Sequence, residues 1–364
     1  MNGYSPFERG PHAVGTRQFS WSDQSRNCTM PVDIWYPAAS AHHGEDFDPE
    51  KMSSFELIPG LGKSAQNAVL NAKARSGTFP LVVFSHGYGG ERRQSTFFCT
   101  HLASHGYVIA AMDHVGNTTV DMLGGQSAGN AELINRFMES RPVDASFIID
   151  QMLAGASDLD IDEDRIGMSG HSFGGWTTLK TVEKDTRIKA IVPLAPAGGG
   201  EVNDENPMAT SLSFNWHRPI PCLYIVSDLD SILPIAGMQD LYQRNPEPAL
   251  AVVLENADHF HFNDNVEATQ DGYKAFIEAA NANADEETQK ATNAMLSLMK
   301  PSTELVPSSH AYTLINVLGV AHFDAHLNDH GGAADILQGD LPALLANQGI
   351  SISMLSSMRT SQSS

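Results

Sequence analysis

Hydrophobic positions along this chain gather in short unbroken runs. FPLVVFS (79–85), GYVIAAM (106–112), RIGMSG (165–170), IKAIVPL (188–194), PCLYIVS (221–227) and ALAVVLE (249–255) are each followed by glycines or polar residues. Runs of this length, rich in Val, Ile and Leu, predict strands of a mostly parallel sheet buried on both faces. An earlier segment, 30–38, alternates apolar and polar positions as a half-buried strand does. Helical periods separate the runs over about 95–104 and 143–154, and a further helix is expected over 312–328, closing the main fold. Residues 39–78 read as a polar insertion with some helical character, and the tail from Ser351 as loose. The fold class expected is α/β, with helices on both faces of the sheet.

One stretch interrupts the alternation. In 263–309, Tyr273, Phe276, Ile277 and Ala280 share one helical face, as do Ala291, Ala294, Met295, Leu298 and Met299. Two helices joined near 281–285 are expected, as a helical insertion within a single domain spanning 1–364. A lid and a decoration packed on the edge of the fold both fit that pattern.

Composition narrows the picture. Of 364 residues, 41% are hydrophobic and 18% charged, a globular balance. The net charge of −21 opposes binding to nucleic acid and to anionic membranes. No apolar run is long enough to span a bilayer, and the N-terminus lacks the pattern of a signal peptide, so a cytoplasmic address is expected. A mature secreted form would read the same way. Three cysteines, Cys28, Cys99 and Cys222, do not make a disulfide framework, although one pair remains open to bridging.

The candidate chemistry lies in GHSFG (170–174), between an apolar run and the helix-like WTTLKTV. A strand turning sharply into a helix strains the corner residue and demands small neighbours two positions away on each side. It also lifts the corner side chain to the helix N-terminus, where negative charge is favoured. Ser172 is therefore the expected nucleophile. A serine hydroxyl needs a base, and the base needs an orienting carboxylate. In the chain order Ser, acid, His, the next polar strand ends supply Asp230, with Asp228 as the alternative, and His259, with His261 read as a wall or core residue. Oxyanion donors are expected from the backbone N–H groups of Tyr88, in the glycine-rich turn after 79–86, and of Phe173. His86 and His171 flank these loops and are expected to bond backbone. Tyr88, Trp176 and Phe260 are candidates for an aromatic substrate-binding wall. No cofactor is required by this chemistry, and a small-molecule ester is the expected partner. Sequence leaves the oligomeric state open.

At these residues the sequence resembles a known family. FSHGYGGERRQSTFFCTHLASHGYVIAAMDH with GHSFGG is similar to the α/β-hydrolase branch that contains plasma-type platelet-activating factor acetylhydrolase and bacterial predicted dienelactone hydrolases. HAVGTRQFSW and MPVDIWYPA match the N-terminal pattern of that branch, and the likeness runs over about 10–262 with FDAHLND at 323–329. It implies an α/β-hydrolase fold and a serine carboxylesterase. There are two departures. Where the plasma-type enzymes carry their acid, this chain reads PLAPAGGG, so the acid must come from Asp230 or Asp228, as in cutinase-like polyester hydrolases. Dienelactone hydrolases use a cysteine nucleophile, and here the position is Ser172. Short- to medium-chain esters are the expected substrates, with phospholipids, polyesters and aromatic diesters as alternatives. The insertion at 263–309 has no counterpart in the resemblance.

Two rival sites are weak. His322, His326 and His330 recur at a spacing of four, as zinc ligands on a helix do, but no H-E-x-x-H accompanies them. They read as a helix surface and its frayed end, and no metal site is expected. DLDIDED (158–164), tested as a calcium loop, has Glu163 and Ser169 where Gly and Glu are required, and reads as a polar turn. A non-enzymatic binding protein on the same fold would be expected to have lost a member of the Ser, Asp, His order.

Overall fold

The computed structural model describes residues 4–56, 62–124, 131–246, 248–282 and 284–355. Its strands are β1 (Val14–Asp23), β2 (Cys28–Pro37), β3 (Met52–Phe55), β4 (Ser64–Leu70), β5 (Thr78–Ser85), β6 (Val108–Met112), β7 (Asp160–His171), β8 (Ile188–Leu194), β9 (Cys222–Ser227), β10 (Ala249–Leu254) and β11 (Ile352–Met354). They form one sheet in the order β11-β10-β9-β8-β7-β5-β6-β2-β1-β4-β3. The six apolar runs are β5 to β10, paired parallel throughout, so that their C-terminal ends share one edge.

The helices are α1 (Thr96–Ser104), α2 (Thr119–Leu123), α3 (Ala131–Leu153), α4 (Phe173–Val182), α5 (Pro207–Ser211), α6 (Ile235–Arg244), α7 (Val266–Asn281), α8 (Glu286–Leu298), α9 (Ser308–Leu327), α10 (Gly331–Gln338) and α11 (Leu341–Ala346). The pleat splits the core in two. Val83, Met168 and Ile191 point to the face covered by α3, α4 and α6, through Ile148, Leu179 and Leu241. Val82, Phe84 and Val192 point to the face covered by α1 and α9, through Phe98, Leu314 and Leu318. Burial on both faces explains why these strands read as continuous apolar runs.

The flanks differ from expectation. Residues 39–78 carry two short 3-10 turns and then β3 and β4; in β4 only Gln66 and Ala68 are buried, a period of two. The chain does not close at the helix near 312–328, because α10, α11 and β11 follow, β11 pairing antiparallel with β10. Ser351–Leu355 is thus held by the sheet edge rather than loose, and 356–364 lies outside the described residues. The acidic run 158–164 is mostly the start of β7, not a turn. Helix α3 begins at Ala131, twelve residues before the expected start, and carries Pro142 inside it. The proline removes one backbone bond, and buried neighbours Arg141 and Asp144 anchor the helix across that gap. Cys28 is a half-buried free thiol, and Cys99 and Cys222 are buried and free. No helix among the described residues is long and apolar enough to cross a membrane.

Several histidines are interior. His322 is buried, its Nε2 3.2 Å from the Pro221 carbonyl, while His330 caps α10 and stacks on Tyr4. The three histidines at four-residue spacing therefore do not converge. Burial, with the neighbouring His326, pulls His322 down to about 3; burial, with His105, does the same to His101.

Two predictions follow from this packing. A Cβ on Gly174 would lie 1.9 Å from the Ser85 carbonyl oxygen, both in rigid backbone. Gly174→Ala should therefore cost about 3 kcal/mol in the denaturant unfolding midpoint. The second concerns acid. A histidine neutral in the fold but free to protonate when unfolded stabilises the fold above its unfolded pKa, and that stability drains as pH falls below about 6.5. His322→Gln should remove about 2 kcal/mol of the acid-induced loss at pH 5, seen as a shallower fall of Tm than in the parent chain. The comparison with the parent matters because Glu91, pushed up to about 8 by burial and the Asp113 charge, acts in the opposite sense.

Candidate active site

The β7–α4 turn is the anchor of the site. Ser172 has φ 58° and ψ −117°, a left-handed backbone that a residue with a Cβ rarely adopts. The turn is held by Ser172 N–H donating to the Leu194 carbonyl and by Ala197 N–H donating to the Ser172 carbonyl, both at 2.9 Å. Gly170 and Gly174 are required by contact: a Cβ on Gly170 would come within 2.5 Å of the Gly174 carbonyl oxygen. The Ser172 side chain is half-exposed at the N-terminus of α4 and makes no hydrogen bond among the described residues.

The loop after β9 brings the acid. Asp230 is buried; its Oδ1 accepts the N–H groups of Ile232 and Leu233, and its Oδ2 accepts His259 Nδ1–H at 2.8 Å. Asp228 instead accepts Ala257 N–H at 3.2 Å. His259 opens a 3-10 turn after β10, and its ring centroid lies 4.6 Å from that of His171, the neighbour of Ser172. With Nδ1 donating to Asp230, Nε2 of His259 is left as the acceptor. His261 is buried behind it, accepting Asp258 N–H and donating to the Val306 carbonyl at 2.9 Å.

The loop after β5 lies against the serine: a Cβ on Gly87 would come 3.5 Å from Ser172 Cβ. The backbone N–H groups of Tyr88 and Phe173 donate to no protein acceptor among the described residues. The Tyr88 ring stacks near Phe173, with centroids 6.2 Å apart.

The aromatic residues divide. Phe260 is half-buried between His259 and Tyr273 of α7, at centroid distances of 5.7 and 4.8 Å. Trp176 does not offer a surface to a ligand. It is fully buried against Phe173, and its indole N–H donates to the Met208 carbonyl, because α4 turns this face into the core. His86 bonds backbone on both sides, accepting His114 N–H and donating to the Gly87 carbonyl. His171 meets the His259 backbone and also a side chain, Gln94.

Several supporting residues carry no mark in the sequence. Asp258 Oδ1 accepts Ser231 N–H and His259 N–H, and its Oδ2 accepts Gln270 Nε2 from α7, lacing the acid and histidine loops to the insertion. Asp264 accepts Thr96 N–H and Phe97 N–H, fixing the far end of the histidine loop to α1. Arg141 is fully buried: it donates to the His86 carbonyl and to Asn117, with its guanidinium 4.4 Å over the Phe173 ring. Burial pulls its pKa down to about 9 against the pull of Asp144. A second Ser–His–Asp chain, Ser85–His114–Asp144 at 2.8 Å per link, is wholly buried. With no access for a substrate it ties β5, β6 and α3 together.

Comparison with known proteins agrees with this architecture. Residues 7–132 match the family described as platelet-activating factor acetylhydrolase, isoform II, and residues 78–246 match that described as serine aminopeptidase, S33. The chain is 29% identical to Cutinase est1 of Thermobifida alba over 187 residues, 50% of this chain and 54% of the cutinase. It is also 29% identical to the platelet-activating factor acetylhydrolase of Bos taurus over 242 residues, 52% of this chain and 54% of that protein. The chain thus spans about half the length of the curated relatives it matches. A ferulic acid esterase from Streptomyces cinnamoneus has the same fold, with a TM-score of 0.67, 20% identity, and coverage of 94% of this chain and 96% of that one. Sheet order, elbow and structural likeness together show an α/β-hydrolase fold, and the matched segments are similar to the platelet-activating factor acetylhydrolase and serine aminopeptidase families.

Proposed function

We propose that this chain is a serine carboxylesterase that cleaves short- to medium-chain esters through an acyl-enzyme on Ser172. The observation that carries the reading is the Asp230–His259 bond at 2.8 Å beside the strained Ser172 turn. His259 Nε2 takes the Ser172 proton as Oγ attacks the ester carbonyl. Asp230 orients the ring and offsets its charge. Tyr88 N–H and Phe173 N–H receive the oxyanion in a region where Arg141 adds positive potential beneath Phe173. The imidazolium returns the proton to the leaving alcohol. Water then repeats the attack, releases the acid and restores Ser172. Every transfer uses groups of the chain itself.

Phe260 and Tyr273 form the apolar wall beside His259, so α7 borders the entrance and sets which chain lengths fit. A second reading, cleavage of polyester or aromatic diester bonds, is favoured by the similarity to a cutinase. A phospholipid acetyl group is a further reading, favoured by the similarity to a platelet-activating factor acetylhydrolase.

Hydrolysis of p-nitrophenyl esters from acetate to palmitate should peak at short chains and be blocked by a serine-reactive phosphonate. Ser172→Ala should lower kcat by at least about a thousandfold with an unchanged Tm. Retained turnover in that variant would remove Ser172 from the mechanism. The two acids separate in the same assay. Asp230→Asn should lower kcat by about 10⁴-fold, while Asp228→Asn, which alters only a backbone contact, should fall less than about tenfold. The reverse order would transfer the role to Asp228.

A further inference from the structure

We infer that Gln94 is a positioning residue for the oxyanion loop, and that its amide sets Tyr88 N–H against Ser172. This inference rests on the esterase reading above. Gln94 lies at the start of the turn into α1, buried, and reaches three loops at once. Its Oε1 accepts Gly87 N–H at 2.7 Å. Its Nε2 donates to His171 Nδ1 and to Asn263 Oδ1, each at 2.7 Å. Its own carbonyl accepts Asp264 N–H at 2.7 Å. One side chain therefore joins the loop of Tyr88, the turn of Ser172 and the loop of His259.

The chemistry of the partners fixes which way the amide points. A backbone N–H can only donate, so the oxygen must face Gly87. The nitrogen then faces His171 and can only donate, so His171 Nδ1 must accept and its proton must sit on Nε2, toward His259. Burial keeps His171 neutral, consistent with that arrangement. The fit is tight as well as polar: a Cβ on Gly90 would come 2.4 Å from Gln94 Oε1. Gly87 and Gly90 are the residues on either side of Tyr88 and Gly89, and Gly90 N–H closes the turn onto the Gly87 carbonyl at 3.2 Å. The turn that presents Tyr88 N–H is thus bonded to this amide at Gly87 and packed against it at Gly90. An oxyanion donor works only when it is held in advance where the charge will develop.

The contact that matters is the one to Gly87, and substitutions separate it from the others. Gln94→Leu keeps the bulk and removes all three bonds. Gln94→Glu keeps an acceptor for Gly87 N–H and loses both donations. Gln94→Asn withdraws the amide by one methylene and serves if the leucine variant does not fold. Four quantities are read: kcat and KM for a p-nitrophenyl ester, Ki for an alkyl trifluoromethyl ketone that forms a tetrahedral adduct on serine, and Tm. Gln94→Leu, or Gln94→Asn, should lower kcat by about ten- to a hundredfold with KM changed by less than about threefold. The ketone Ki should rise by the same factor as kcat/KM falls. Gln94→Glu should recover most of that loss. A kcat within about twofold of the parent, a ketone Ki that does not follow kcat/KM, or a Gln94→Glu variant as impaired as Gln94→Leu would each overturn the inference. Failure of the esterase reading looks different: the parent chain would show no turnover that Ser172→Ala removes.

Discussion

Two backbones meet at the turn before α4 with no room for a side chain between them. The Gly174 Cα faces the Ser85 carbonyl, and a Cβ there would come 2.7 Å from the His86 oxygen too. This contact brings the end of β5 against the corner of β7, so that the loop carrying Tyr88 starts beside Ser172. Neighbouring parallel strands supply the rigid frame on both sides. Their pairing, Ser85 opposite Gly170 and Gly170 opposite Pro193, sets the height of each loop at the edge. The strained φ of Ser172 persists because these contacts over-determine it.

Around that corner the polar residues are arranged to leave little freedom. Asp230 and Asp258 accept backbone N–H groups of loops that have no ladder of their own, and Asp264 accepts those of the first turn of α1. A buried carboxylate is costly unless its lone pairs are met. Asp264 has only the Thr96 and Phe97 donors against its burial, and its pKa rises to about 6. Burial likewise pulls His86, His114 and His171 well below the usual histidine range and keeps them neutral. The site is thus a set of loops fastened by side chains to a sheet that is itself fastened by packing.

What could be read from the sequence follows from which forces leave a local trace. Strands β5 to β10 are buried on both faces, so each is visible as an apolar run. Strands β1, β3, β4 and β11 lie at the flanks of the sheet, outside the parallel block. In β4 the sequence SAQNAVL has only two buried positions, too faint a pattern to separate from a loop. GHSFG is legible because steric demand is local: the glycines and the serine lie within five residues. The Asp230–His259 contact joins residues 29 apart, a pairing that spacing along the chain does not single out from Asp228. Gln94 carries no mark in the sequence. Gly87 lies only 7 residues away, but its other partners lie 77 and 169 residues away, and only the fold brings the three to one amide. Trp176 was misread because helix orientation, which decides whether an aromatic faces core or cleft, is not contained in a five-residue motif.

The helical insertion has a consequence of a different kind. The chain leaves the histidine loop near Asn263 and returns near Val306, where His261 donates to the Val306 carbonyl and Val306 N–H donates to Asn256 at 2.9 Å. Departure and return are therefore stitched together below the hairpin by bonds that do not involve α8. Closing a loop costs little more entropy when it is long than when it is short. A segment whose ends are already joined can lengthen, shrink or be exchanged with small thermodynamic effect on the sheet beneath. The outer part of the hairpin, with α8, thus has the standing of an interchangeable cassette, letting one hydrolytic frame acquire a new entrance while Gln270 of α7 still holds Asp258 and the loops beside it.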